Sequence, residues 1–204
     1  SRLWENQIGR TTAFWRIALP WFKEEFPDFP DWDAKTIDLF VNEVKLDYIR
    51  VEADEVTYNL HIMLRYEMEK LIFNQELPVE KIPETWNQMF EDWFGIEVPN
   101  DSLGCLQDVH WSCGAFGYFP TYTLGNLYAA QLTEKMEKDV GDISEIIKSG
   151  DWSSILSWLR ENVHSQGMLY DPSELIERAT GSPPSPEPFL NYVEEKYGSL
   201  YGLN

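Results

Sequence analysis

The residues best equipped for chemistry fall in one glycine-punctuated run, GCLQDVHWSCGAFGYFPTYTLG at 104–125. Within it Gln107, Asp108, His110, Trp111, Tyr118 and Tyr122 supply a carboxylate, an imidazole and two phenols. Gly104, Gly114, Gly117 and Pro120 permit the tight turns that gather such groups at a cleft. Loops of this composition carry function more often than packing. The same residues equally suit a polar network tying two helices, with His110 held by Asp108 or by a backbone carbonyl. Composition alone does not choose between the two.

Arg50 is the second point, in YIRVEADE between Ile49 and Val51. Asp47, Glu52, Asp54 and Glu55 surround it, and pairing with such neighbours is the ordinary fate of an arginine. The sharper reading is a guanidinium fork that receives a carboxylate. Metal chemistry has less support. His61, His110 and His164 form no HExxH pair. Cys105, His110 and Cys113 are spaced C-x4-H-x2-C, which is not a structural zinc spacing, and no second ligand cluster completes a tetrahedron. These cysteines read as reduced thiols near a turn. No GxSxG elbow marks a nucleophilic serine.

Helices must position these groups. In residues 1–27, Trp4, Ile8, Trp15, Ala18 and Phe22 share one helical face, which Pro20 should kink or break. Asp33 is an N-cap for a helix over DAKTIDLFVNEVKL. LDYIRVEAD at 46–54 is the best candidate for extended structure, giving at most a short extended segment near residues 47–53. Val56, Leu60, Met63, Leu64, Met68, Leu71 and Ile72 then form a helical stripe. Further helical periods lie near 79–95, 121–140, 151–163, 172–179 and 186–198. The expected class is all-α. GSPPSPEP at 181–188 reads as a rigid loop, so residues 1–204 read as a single helical domain.

Composition narrows the function classes. Sixteen basic and 35 acidic residues give the 204-residue chain a formal charge of −19. That field repels phosphate backbones and argues against nucleic acid. Nine Trp, ten Tyr and eleven Phe exclude disorder, because burying them offsets the ordering entropy. No run of about 18 uncharged apolar residues spans a membrane. Charges interrupt the early apolar runs, so the start does not read as a signal peptide. The expected location is cytoplasmic. The first helix starts with apolar Leu3 and Trp4 already in register, as if entered partway through an element.

IRVEAD at 49–54 is similar to the I/V-R-x-x-A-D signature of the carboxypeptidase Taq family, and GCLQDVHW at 104–111 to its GxxQDxHW signature. SRLWENQIGR, EVTYNLHIMLRYEMEK after Asp54 and FGYFPTYTLGNLYAAQL from Phe116 resemble the family's flanking text, so the likeness covers essentially the whole chain. It implies a mostly helical, saddle-like metallocarboxypeptidase, usually homodimeric and cytoplasmic. Such enzymes release single residues from peptide C-termini with broad specificity, using one divalent metal, normally zinc or cobalt. The metal polarises the carbonyl and activates water, a glutamate acts as general base, donors stabilise the oxyanion, and a cation selects the free carboxylate.

The family's HExxH motif, and its HES followed by Gln or Gly, carry the metal ligands and the glutamate. Neither occurs in these 204 residues, and HPF and DxRxT are missing too. The resemblance therefore implies the C-terminal portion of such an enzyme. It would recognise substrate without a metal cradle, bind no metal itself and be inactive alone. Carried over by motif position, Arg50 grips the substrate's terminal carboxylate. His110 faces the cleft as an oxyanion or substrate donor positioned by Asp108. Tyr118 and Tyr122 are phenolic donors, and Gln107 and Trp111 build the wall. The implied partners are peptide C-termini, the missing N-terminal part and a second copy of the chain. A rival is a non-catalytic helical module that binds carboxylates or partner helices. A third reading, an acidic all-α adaptor, expects Arg50 and His110 to lie far apart.

Overall fold

One threonine decides how the chain starts. The Thr11 hydroxyl donates to Ile8 O (2.7 Å), closing the π-helical stretch Leu3–Gly9. It also accepts from Phe14 N (3.2 Å), opening α1 (Thr12–Glu25). The interruption thus falls at Thr11, whereas Pro20 lies inside an unbroken α1. A proline removes one intrahelical bond, but Thr11 supplies both a stop and a start. Asp33 takes its expected cap position on α2 (Ala34–Val41), accepting from Thr36 N at 2.7 Å. This helix stops short of EVKL because the buried Asn42 amide turns back onto Asp38 O and Arg10 O.

The computed structural model describes residues 1–203 and, among them, nine α-helices and no strand. Beyond α2 come α3 (Tyr58–Asn74), α4 (Ile82–Phe94) and α5 (Pro120–Val140). They are followed by α6 (Ile143–Ser149), α7 (Ser153–Asn162), α8 (Pro172–Thr180) and α9 (Glu187–Tyr201). The class is all-α, as the sequence predicts. At the expected extended stretch the chain instead makes a 3-10 turn, Arg50–Glu52, flanked by extended Ile49 and Ala53. Among the described residues no helix is long and apolar enough to cross a membrane.

The chain divides into two compact units, residues 1–42 with 125–204, and residues 43–124. The first packs Leu3, Ile8, Met136, Ile143, Ile147, Ile155, Trp158 and Ile176 into one apolar cluster. In the second, Trp86, Phe90 and Phe94 recur every four residues on α4 and meet Leu64, Met68, Val98 and Cys105. Gly95, with φ +68°, ends α4 in the left-handed conformation that glycine adopts without strain.

Most of the stripe expected along α3 faces the core: Leu64 and Met68 are buried, and Leu60 and Leu71 pack against the same cluster. Met63 is 45 % exposed, while Tyr58, His61, Ile62, Arg65 and Glu69 join Leu64 and Met68 in being buried. The buried face is thus wider than the apolar spacing indicates, because Arg65 and Glu69 find partners and are buried beside it.

Candidate functional site

Four segments of the second unit converge on the carboxylate of Asp108. The 3-10 turn brings Arg50, and α3 brings Tyr58 and Arg65. The stretch 95–119 brings Gln107, His110, Trp111 and Phe119, and the first turn of α5 brings Tyr122. Gln107 ties two of these segments together. Its Oε1 accepts from Arg50 N (2.9 Å), and its Nε2 donates to Tyr48 O (2.9 Å), Leu103 O and Gly104 O (both 3.1 Å).

Arg50 Nε donates to Oδ1 and Oδ2 of Asp108 (3.2 and 3.1 Å), and Nη2 donates to Oδ1 (2.6 Å). Arg65 reaches Oδ2 at 2.7 Å through both Nε and Nη2. Arg50 is 6 % exposed, and its Nη1 donates to the Tyr58 hydroxyl at 2.9 Å. Its partner is therefore a carboxylate 58 residues away, not one of its acidic sequence neighbours. Arg50 Cζ also lies 5.0 Å from the Tyr122 ring centre and 5.6 Å from that of Phe119.

His110 Nε2 pairs with the Tyr122 hydroxyl at 2.9 Å, whereas its Nδ1 stays 3.8 Å from Asp108 Oδ1, beyond hydrogen-bond reach. Arg50 and His110 thus share Asp108 and Tyr122 as neighbours, contrary to the adaptor reading's separation. Tyr118 is 49 % exposed, its ring centre 5.8 Å from that of His110 and 5.5 Å from that of Tyr122. Trp111 Nε1 donates to Glu69 Oε1 (2.8 Å), and Gly117 N donates to the other oxygen of that buried carboxylate (2.9 Å).

The electrostatics follow from burial against pairing. Burial alone raises the pKa of Asp108, but the hydrogen bonds and charges of Arg50 and Arg65 outweigh it and hold the carboxyl below its ordinary value. Burial lowers that of Arg50, and Asp108 more than compensates. At the more deeply buried Arg65, burial wins and the value falls to about 10, so the side chain still carries its charge at neutral pH. Burial lowers the pKa of His110; Asp108 opposes that shift, and the two arginines add to it. Tyr122 is raised, mainly by burial.

The motif reading passed over Tyr58, Arg65 and Glu69. One signal was present: their spacing of seven and four residues puts all three on one helical face. The donor set does not fit a divalent metal. Among the described residues no group of three or more His, Cys, Asp or Glu is placed to hold one. His61 sits against Phe90 and Phe94, Cys105 is buried, and Cys113 is exposed.

A sequence model of the family described as carboxypeptidase Taq (M32) metallopeptidase matches residues 1–197. Thermostable carboxypeptidase 1 of Thermus thermophilus is 46 % identical over 202 residues, covering 99 % of this chain and 40 % of that protein. Carboxypeptidase 1 of Bacillus subtilis is 43 % identical over 204 residues, covering 100 % and 41 % respectively. A solved structure of the M32 carboxypeptidase from Deinococcus radiodurans gives a TM-score of 0.94 at 39 % identity, covering 98 % of this chain and 41 % of that one. The chain spans about 40 % of the length of the curated relatives it matches.

Proposed function

The chain belongs to the carboxypeptidase Taq (M32) metallopeptidase family, and from that premise we propose that it forms the substrate-recognition portion of a metal-dependent carboxypeptidase. The intact enzyme releases single residues from peptide C-termini with broad specificity, as a cytoplasmic homodimer using zinc or cobalt. Residues outside this chain hold the metal. HExxH and HES are both absent from the 204 residues, so the chain alone does not hydrolyse peptides.

The observation that carries the reading is the assembly of Arg50, His110 and Tyr122 around Asp108, with half-exposed Tyr118 alongside. Arg50 supplies the cation for the terminal carboxylate. Its Nη1 donates to the Tyr58 hydroxyl, and this is the contact a carboxylate best replaces, because a carboxylate accepts the same hydrogen bond and adds an opposite charge. His110, Tyr122 and Tyr118 offer donors toward the peptide end, and Gln107 and Trp111 set the wall.

Arg50→Ala in the intact enzyme tests this reading. The expected result is a KM for free C-termini raised far more than metal affinity is weakened, and unchanged kinetics removes Arg50 from the site. Adding the N-terminal portion in trans with zinc separates the rival. Restored hydrolysis supports a split enzyme, and carboxylate binding without hydrolysis supports a non-catalytic module.

A further inference from the structure

α3 carries a guanidinium that is buried and held on several sides. Arg65 is 1 % exposed, and its Nη1 donates to His61 O at 2.8 Å. Its Cζ lies over the Trp86 ring at 4.8 Å and the Phe119 ring at 5.2 Å, while Nε and Nη2 both meet Asp108 Oδ2 at 2.7 Å. A planar fork fixed on that many sides offers Asp108 one docking position. Arg50 occupies Oδ1. The carboxylate two residues before His110 is thereby aimed away from the ring nitrogen it would otherwise take.

We propose that Arg65 is a positioning residue: it pins the Asp108 carboxylate against Arg50 and out of hydrogen-bond reach of His110 Nδ1, leaving the imidazole to pair through Nε2 with Tyr122. The part this plays in handling peptide ends rests on the recognition reading above, whereas the geometric claim does not.

The groups bearing on His110 come from every element around it. They are Asp108 and Tyr118 from 95–119, Arg50 from the 3-10 turn, Arg65 and Glu69 from α3, and Tyr122 from α5. Their sum, with burial, holds the imidazole below its ordinary pKa, so His110 is neutral at pH 7. Loosening Arg65 frees Asp108 to turn onto Nδ1, and a hydrogen-bonded carboxylate favours the imidazolium.

Histidine-ring NMR across pH on the 204-residue chain tests this, in wild type, Arg65→Lys and Arg65→Met, with His164 in the other unit as reference. Lysine keeps the charge but loses the planar fork and its Nε hydrogen bond to Asp108. The expected result is a His110 titration that moves to higher pH in Arg65→Lys and further in Arg65→Met. A His110 titration unchanged in the lysine variant overturns the proposal. So does a rise of equal size in the Asp108→Asn background, because Arg65 then acts by charge alone. A wild-type Nδ1–H signal already bonded to a carboxylate overturns it too, with no variant needing to fold. None of these readings uses peptide hydrolysis, so failure of the functional reading is scored separately.

Discussion

The two units bury polar groups of opposite kinds. Among the described residues, the polar side chains buried in the first are amides: Asn6, Gln7, Asn42, Asn126 and Gln131. Residues 43–124 bury Thr57 and the ionisable Arg50, Asp54, Glu55, His61, Arg65 and Glu69. An amide needs only hydrogen bonds. Gln131 gets them from Thr180 Oγ1, Ser182 O and Pro183 O, and its own oxygen accepts from Ser185 N. Buried charges must also overcome desolvation, and apolar replacements of equal volume are often no less stable. Concentrating ionisable groups in one unit therefore adds little stability by itself, and clusters of this kind are where functional sites are sought.

Asp108→Ala puts the largest load on that contrast. It leaves the buried Arg50 and Arg65 without their shared counter-charge and should cost about 3–5 kcal/mol in urea unfolding. Gln131→Ala, the matched change in the first unit, should cost about 1–3 kcal/mol. Equal losses would mean that charge is not what distinguishes the second unit.

His61 gives the next effect, read against pH. It is 0 % exposed, and neither ring nitrogen has a hydrogen-bond partner. Burial, reinforced by Arg65 and Arg50, pushes its pKa down from 6.5 to about 3. A depressed folded-state value means that the unfolded chain takes the proton first. Stability is then complete above pH 6.5 and is lost as pH falls toward 3. Roughly 3 kcal/mol should disappear between pH 6.5 and 4. His110, also lowered, adds a loss of the same sign, whereas Asp108 contributes its own only below its ordinary 3.8. His61→Leu should flatten the stability profile over that range; an unchanged slope would show that the ring is not buried as a neutral base.

How much of this was legible depends on whether the cause is local. The Asp33 cap, the all-helical texture and the run 104–125 can be read directly, because caps, periods and turn residues act over a few positions. Arg50 stood out by type, but its partner did not. Asp47, Glu52, Asp54 and Glu55 are nearer in sequence, and the fold instead delivers Asp108. The role of Arg65 was hidden for the same reason: a charged residue on an apolar stripe looks solvated until the aromatic rings and carboxylate that bury it are placed. Pro20 shows the converse, since α1 continues through it without a break. The boundary falls nine residues earlier, where the Thr11 hydroxyl both ends one helical stretch and opens the next.

The smallest effect should come from an exposed charge in the first unit. Asp142 caps α6, accepting from Ser144 N at 2.7 Å and Glu145 N at 3.2 Å. Asp54 plays a related part in the turn that leads into α3, but buried, and accepts from Val56 N, Thr57 N, Thr57 Oγ1 and Lys45 N. When Asp142 is removed, water reaches the freed N–H groups, which limits the loss to about 1 kcal/mol. Relief of repulsion reduces it further, since Asp142 helps raise the pKa of nearby Glu137. Asp142→Ala should therefore lower Tm by about 2–4 °C at most, and Asp142→Asn, which keeps the accepting oxygen, by less. A fall as large as that of Asp54→Ala would show that burial does not set the strength of the two carboxylate acceptors, and the contrast between the units would lose its simplest support.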